Sequence, residues 1–281
     1  MHIPRTLILL SALMLATTGV PALAAAADAF RVCADPNSMP FSNRAGEGFE
    51  NRLAAMLADD LGLAVEYTWF PQRRGFIRNT LRNQNPQTGD YLCDVVMGLP
   101  HGFEMAVTTA PYYRSTYALV FSRSGALAGI QSAADLAKLD ADTQQALRIG
   151  VFVETPGAAW LAKRGLISQM VPYPALSGDP NAYPGQVVEQ DLAAGKLDAA
   201  ILWGPVAGYF VSRLGREDVG LVPLQSEPGA RFDFSISMGV RFGDKARKEQ
   251  LEALLARHQE DIRALLREYR IPEVDENGQP I

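Results

Sequence analysis

The chain has 281 residues, 48% hydrophobic and 20% charged, which is enough apolar content for a sizeable core in one large domain or two smaller ones. Its formal net charge of -5 excludes the basic footprint needed to hold nucleic acid or an anionic membrane surface, and leaves a protein partner open. Residues 1–24 read as a secretory signal peptide: a short basic start (His2, Arg5), an apolar run over 6–20, and Ala22-Leu23-Ala24 as an A-x-A cleavage signal. No later stretch stays apolar long enough to cross a bilayer, so the sequence predicts no membrane span after signal removal.

A strand is predicted over 30–34, ending in Asp35-Pro36-Asn37, followed by the loop Met39-Pro40-Phe41-Ser42-Asn43. Leu53, Met56, Leu57 and Leu61 fall at helical spacing over 49–61, and Gly62 closes that helix. A second strand covers 65–70. Arg74, Arg78 and Arg82 then recur every four residues opposite Ile77 and Leu81, which predicts a helix with either a solvated basic face or a docking patch for an acidic partner. A short apolar strand over 93–97 breaks at Gly98 and Pro100 into a polar loop containing His101, and an alternating strand over 115–121 leads out of it. A strand, a loop at its C-terminal end and a long exit strand suit a ligand cleft.

Ser132 is a helix start for 133–139, and 147–153 is a fresh strand. It runs into Glu154-Thr155-Pro156-Gly157, where Thr155 as N-cap and Pro156 at the first helical position begin a helix over 158–163. The free amides there either hold an anion or are simply capped. Residues 171–185 are rich in proline, glycine and tyrosine, a surface loop or lid. A helix over 186–194, a strand over 197–202 ending in Trp203-Gly204-Pro205, a helix over 206–214, a strand over 232–240 and one long helix over 245–269 complete the chain. There is no internal repeat.

This order of elements resembles the α/β fold of two-lobed periplasmic binding proteins of type II, solute-binding family 3-like, in which each lobe is a mixed sheet flanked by helices. The resemblance implies a discontinuous lobe 1 (25–118 plus 226–281) and a lobe 2 (119–225). In that fold the strands carrying Cys33 and Cys93 are neighbours, so in an oxidising compartment the resemblance implies a disulfide closing a loop of roughly 60 residues. The stretches RVCADPNSMPFSNRAGEGFENRLA, PQRRGFIRNTLR, CDVVMGLP and TTAPYYRSTYALVF are similar to the accessory proteins of PQQ-dependent (quinoprotein) methanol dehydrogenases, the MoxJ/XoxJ type. That resemblance implies a periplasmic, non-catalytic protein without a cofactor of its own. Its implied partners are a PQQ-dependent methanol or alcohol dehydrogenase and that enzyme's cytochrome c.

Amino-acid-binding members of the fold place an Arg in the loop after the third strand and an acid after the second-lobe strand. Alignment puts Met105 and Trp203 at those two positions. Without them the two charges of a zwitterion are left unpaired, at several kcal/mol on the order of the burial penalty, which argues against a free α-amino acid. The cleft residues the resemblance implies are then Asp35, Asn37, Phe41, His101, Tyr112, Tyr113, Glu154, Thr155 and Trp203. Phe41, Tyr112, Tyr113 and Trp203 form either an aromatic wall or ordinary core, and such a wall suits an apolar or aromatic group, or a partner's inserted side chain.

The histidines (His2, His101, His258) and two cysteines form no zinc or haem signature, so no metal is expected. Residues 273–278 imitate only the start of a calcium loop. No nucleophile elbow or phosphate loop appears. Two alternatives to an accessory protein stand: a receptor of an ABC import system, and a periplasmic dehydratase with Glu154 or Asp35 as general acid.

Overall fold

The computed structural model of the chain describes residues 29–72, 74–175, 182–183, 185–215 and 218–281, and the expected signal peptide lies outside them. In chain order the first elements are β1 (Ala29–Ala34), β2 (Asn37–Ser38), β3 (Ser42–Asn43), α1 (Phe49–Asp60), β4 (Ala64–Trp69), α2 (Phe76–Asn79), β5 (Val95–Pro100), β6 (Val107–Thr108) and β7 (Tyr113–Ser122). They are followed by α3 (Ala141–Ala146), β8 (Ile149–Phe152), α4 (Pro156–Lys163), β9 (Met170–Tyr173), α5 (Gln186–Ala193), β10 (Ala199–Trp203) and α6 (Gly204–Leu214). β11 (Val219–Pro223), β12 (Asp233–Val240), α7 (Lys245–Arg257) and α8 (Gln259–Glu268) end the chain. The strands run in the order β4-β1-β5-β12-β7-β10-β8-β9, with β6 beside β12 and β11 beside β7.

The protein is two-lobed because β7 changes partner midway. Its first residues, 113–116, pair antiparallel with β12, while 117–121 pair with β10 and 118–122 with β11. Strand alternation then sorts side chains into separate cores. In lobe 1, Val32, Ala34, Val95 and Met97 join α1, α7 and α8 through Phe49, Leu53, Leu57, Leu254 and Ile262. Cys33 and Val96 point to the other face, against Phe76, Ile77 and Leu81. In lobe 2, Leu119 and Phe121 face Leu136, Trp160 and Leu161, whereas Ala118 and Val120 face Val188, Leu202 and Phe210. Apolar cover on both faces explains why these strands read as continuous hydrophobic runs.

The disulfide is present: Cys33 and Cys93 are bonded with Cα atoms 5.4 Å apart, which ties β1 to the approach to β5. Several elements differ from the sequence reading: β2, β3, β6, α3 and β11 have no counterpart in it, and the helix expected over 133–139 is a 3-10 helix over Ala133–Lys138. The arginine-bearing helix is only α2, since Gly75 before it is left-handed (φ 87) and Thr80 after it leaves helical geometry, its hydroxyl donating to Phe76 O at 2.7 Å. The single helix over 245–269 is two helices that meet at His258, whose ring nitrogens contact Asp60 (2.9 Å) and Asp261 (3.1 Å). The loop expected from 171 onward begins as β9, parallel to β8, and 176–181 lie outside the described residues. β11 is a short strand between charged and proline-rich residues, paired with β7 and packed by α6.

Candidate functional site

Phe41 and Trp203 are the two expected cleft residues that the fold brings to the junction of the lobes. Each packs against the lobe 1 core and also against the α5–α6 core of lobe 2. Phe41 rides on a loop with a cis Met39–Pro40 bond, and α1 holds that loop from behind: Phe49 N donates to Pro40 O (2.8 Å) and Glu50 N to Phe41 O (2.9 Å). Its ring lies 5.6 Å from Phe49. Trp203 ends β10, with its ring 5.4 Å from Tyr117 and 6.0 Å from Phe234, so an aromatic cluster spans the strands that join the lobes. Beside it, α6 rests on the chain after α8. Gly204 leaves no room for a Cβ between Thr116 O and Pro272, and at Gly208 a Cβ would overlap Arg270 O.

Seven further residues are expected at the cleft. Asp35 is a turn clamp, its carboxylate accepting from Asn37 N (2.8 Å) and Gln72 N (2.6 Å). Asn37 sits in the β2–β3 hairpin opposite Asn43. Tyr113 is 6% exposed, edge-on to Phe49 at 6.0 Å and 5.0 Å from Tyr112, whose hydroxyl accepts from Gly98 N. Burial pushes both phenols well above their usual range, so both are neutral packing groups. His101 is exposed, its Nδ1 near Ser237 Oγ (3.0 Å) and Thr109 O (3.2 Å). Glu154 is exposed and left-handed (φ 62), and the Thr155 hydroxyl donates backward to Phe152 O instead of capping α4. Among the described residues none of these three has a hydrogen bond or ring contact to Phe41 or Trp203.

Arg74, Arg78 and Arg82 are exposed and have no ion-pair partner among the described residues. Their segment covers the Cys33–Val96 face of the lobe 1 sheet, opposite the face that Phe41 packs on. The same side carries Asp94, 4% exposed, ringed by Arg31 (2.8 Å), Arg241 (2.8 Å) and Arg247 (3.9 Å). Burial pushes the Asp94 carboxyl up, but hydrogen bonds from Arg31 and Arg241 outweigh it and hold the group below the usual range.

One residue near the lobe junction gave no signal in the sequence. Glu50, in the first turn of α1, is half-buried as a residue, yet its Oε1 is out of reach of solvent and has no hydrogen-bond partner. It borders a cavity of about 10 Å³ with Ser42, Asn51 and Tyr67. Burial alone pushes its carboxyl up to about 8. An acid in the first turn of a helix looks like ordinary dipole pairing, and only the tertiary approach of Gly98 and Tyr112 makes it unusual. A larger concavity, about 480 Å³, lies on lobe 2 among Phe121, Leu127, Leu147 and Leu214, and includes none of the residues at the lobe junction. No group of three or more metal-binding side chains occurs among the described residues.

No protein-family model matches the chain. Its structure is similar to the crystal structure of the periplasmic binding protein XoxJ from Methylobacterium extorquens AM1, with 35% identity and a TM-score of 0.69 over 88% of this chain and 100% of that one. In sequence it is 28% identical over 261 residues to Protein MoxJ of Methylorubrum extorquens, covering 88% of this chain and 82% of that protein. It is 27% identical over 281 residues to Protein MoxJ of Paracoccus denitrificans, covering 90% of this chain and 94% of that protein.

Proposed function

The chain belongs to the MoxJ/XoxJ family of periplasmic binding proteins, and from that premise we propose that it is a non-catalytic periplasmic accessory protein of a quinoprotein methanol or alcohol dehydrogenase. The observation that carries this reading is the aromatic junction at Phe41 and Trp203, where a solute receptor for zwitterions needs fixed charges. An apolar surface that both lobe cores already touch is suited to a partner's side chain or an apolar group, and poorly suited to a small ion. In this reading the lobes are 25–118 with 226–281, and 119–225. The quinone cofactor belongs to the partner.

Arg74, Arg78 and Arg82 serve as the docking face. Unpaired guanidiniums on a chain with a net charge of -5 favour an acidic partner surface and speed its approach. Sedimentation of the mature protein with the purified dehydrogenase tests the proposal: a saturable complex that weakens as salt rises is expected. Tight binding of an amino acid with lobe closure, and no complex with the dehydrogenase, would instead make the chain an import receptor.

A further inference from the structure

We propose that Glu50 and Asn51 form a buried two-donor site for one neutral oxygen, filled by a water in the isolated protein, and that this oxygen pins the loop carrying Phe41. The site goes beyond the accessory reading and does not depend on which partner the protein serves.

Asn51 fixes the chemistry. It is 3% exposed, and its Oδ1 accepts from Asn43 N (2.9 Å) and Gly48 N (3.2 Å). Two backbone donors on one atom settle the amide orientation, so the buried and unpartnered atom is the Nδ2 donor. Glu50 Oε1 is likewise buried and unpartnered, and both residues line the same small cavity. Two orphan polar atoms on residues that line one cavity are costly unless something satisfies them. A cavity of about 10 Å³ has room for one water-sized group. Ser42 Oγ completes the wall; its hydrogen is given to Asp35 O (2.8 Å), so it offers a lone pair. A water can therefore accept from Asn51 and from a protonated Glu50 while donating to Ser42. A cation does not suit the site while Glu50 is neutral, since Asn51 Nδ2 meets it with a donor and no charge offsets its own.

The titratable groups facing Glu50 are Tyr67 from β4, Tyr113 at the start of β7 and Tyr112 just before it. All are neutral phenols, and among the described residues no cation pairs with Glu50. Ionisation removes one of the two donors. The loop is tied to the same turn of helix through Phe49 N, Glu50 N and Asn51 Oδ1, so losing the bridging oxygen loosens the seat of Phe41 between the lobes.

Crystals of the full mature protein, grown near pH 6 and near pH 10, test this for the wild type, Glu50→Gln and Glu50→Leu. An ordered water between residue 50 and Asn51 Nδ2 is expected in the wild type near pH 6 and in Glu50→Gln at both values, but not in Glu50→Leu. Hydrogen exchange of the loop amides at 41–43, corrected for the intrinsic pH effect, should rise about ten-fold in the wild type between the two conditions and stay level in Glu50→Gln. A dry cavity near pH 6, or matching exchange profiles, would overturn the proposal. If the variants do not fold, carbon-13-edited infrared of the wild type decides: a protonated glutamic acid carbonyl at neutral pH supports the site, and its absence removes it.

Discussion

Removing the disulfide isolates one energetic contribution that can be worked through in advance. Cys33 and Cys93 are 60 residues apart in sequence, and the chain-entropy relation for a loop of about that length gives about 14 cal/mol/K, or roughly 4 kcal/mol at 25 °C. Both residues are at most 2% exposed in a cluster with Phe76, Ile77 and Leu81, so Cys33→Ala with Cys93→Ala also loses packing, about 1 kcal/mol or more. Serine is the wrong replacement, because it would bury two hydroxyls in that cluster. The two contributions separate in a urea titration. Lost packing lowers the midpoint at constant m, whereas freeing the loop lets the unfolded chain expand and raises m. We expect a total loss of about 4–6 kcal/mol with a steeper slope, and faster hydrogen exchange over 74–82, the segment that cluster supports. A loss below about 1 kcal/mol with m unchanged would refute the reasoning.

Three further outcomes follow from individual contacts. Glu50 has its carboxyl raised from 4.5 to about 8, so between those values the unfolded chain gives up a proton that the folded chain keeps. Stability from this group is complete below pH 4.5 and falls as pH rises toward 8, by at most about 1.4 kcal/mol per pH unit. Relative to Glu50→Gln, the wild type should therefore lose about 2–5 kcal/mol over that range in thermal or urea melts, and parallel curves would contradict it. Gly208→Ala should lower the melting temperature, because the overlap with Arg270 O costs about 1–3 kcal/mol or more against a helix-propensity gain of about 1. A higher melting temperature would mean that α6 does not bear on that backbone. Reversing charge at Arg74, Arg78 and Arg82 to Glu should leave folding within about 1 kcal/mol, since none has a partner to lose, while reducing dehydrogenase association at least ten-fold at low salt. Unchanged association would move the docking face elsewhere.

Much of the fold was legible because local and tertiary signals agree. β1, α1 and β4 lie within a residue or so of their expected bounds, since a glycine or proline closes each apolar pattern. Where the sequence misled, a local competitor was at work. Arginines at four-residue spacing suggest a long helix, but a left-handed Gly75 and the back-bonding Thr80 confine it to one turn. Near His258 the apolar pattern runs through, while the side chain bridging Asp60 and Asp261 marks the break between α7 and α8. The site was less readable than the fold. Phe41 and Trp203 stand out beside proline and glycine turns, yet nothing local distinguishes them from Tyr112 and Tyr113, which the inward face of β7 and its approach commit to lobe 1. Glu50 was invisible because its environment comes from residues 48 and 62 positions further along the chain, at Gly98 and Tyr112.

The most direct test of the whole account is a calorimetric titration of the mature protein with the purified quinoprotein dehydrogenase of its own periplasm, run alongside a panel of free amino acids. The account predicts stoichiometric heat with the enzyme and none with the zwitterions, and that Phe41→Ala with Trp203→Ala weakens the complex. Saturable heat with an amino acid and a flat trace with the enzyme would show that the lobes still grip solutes, and the aromatic junction would then be core and nothing more.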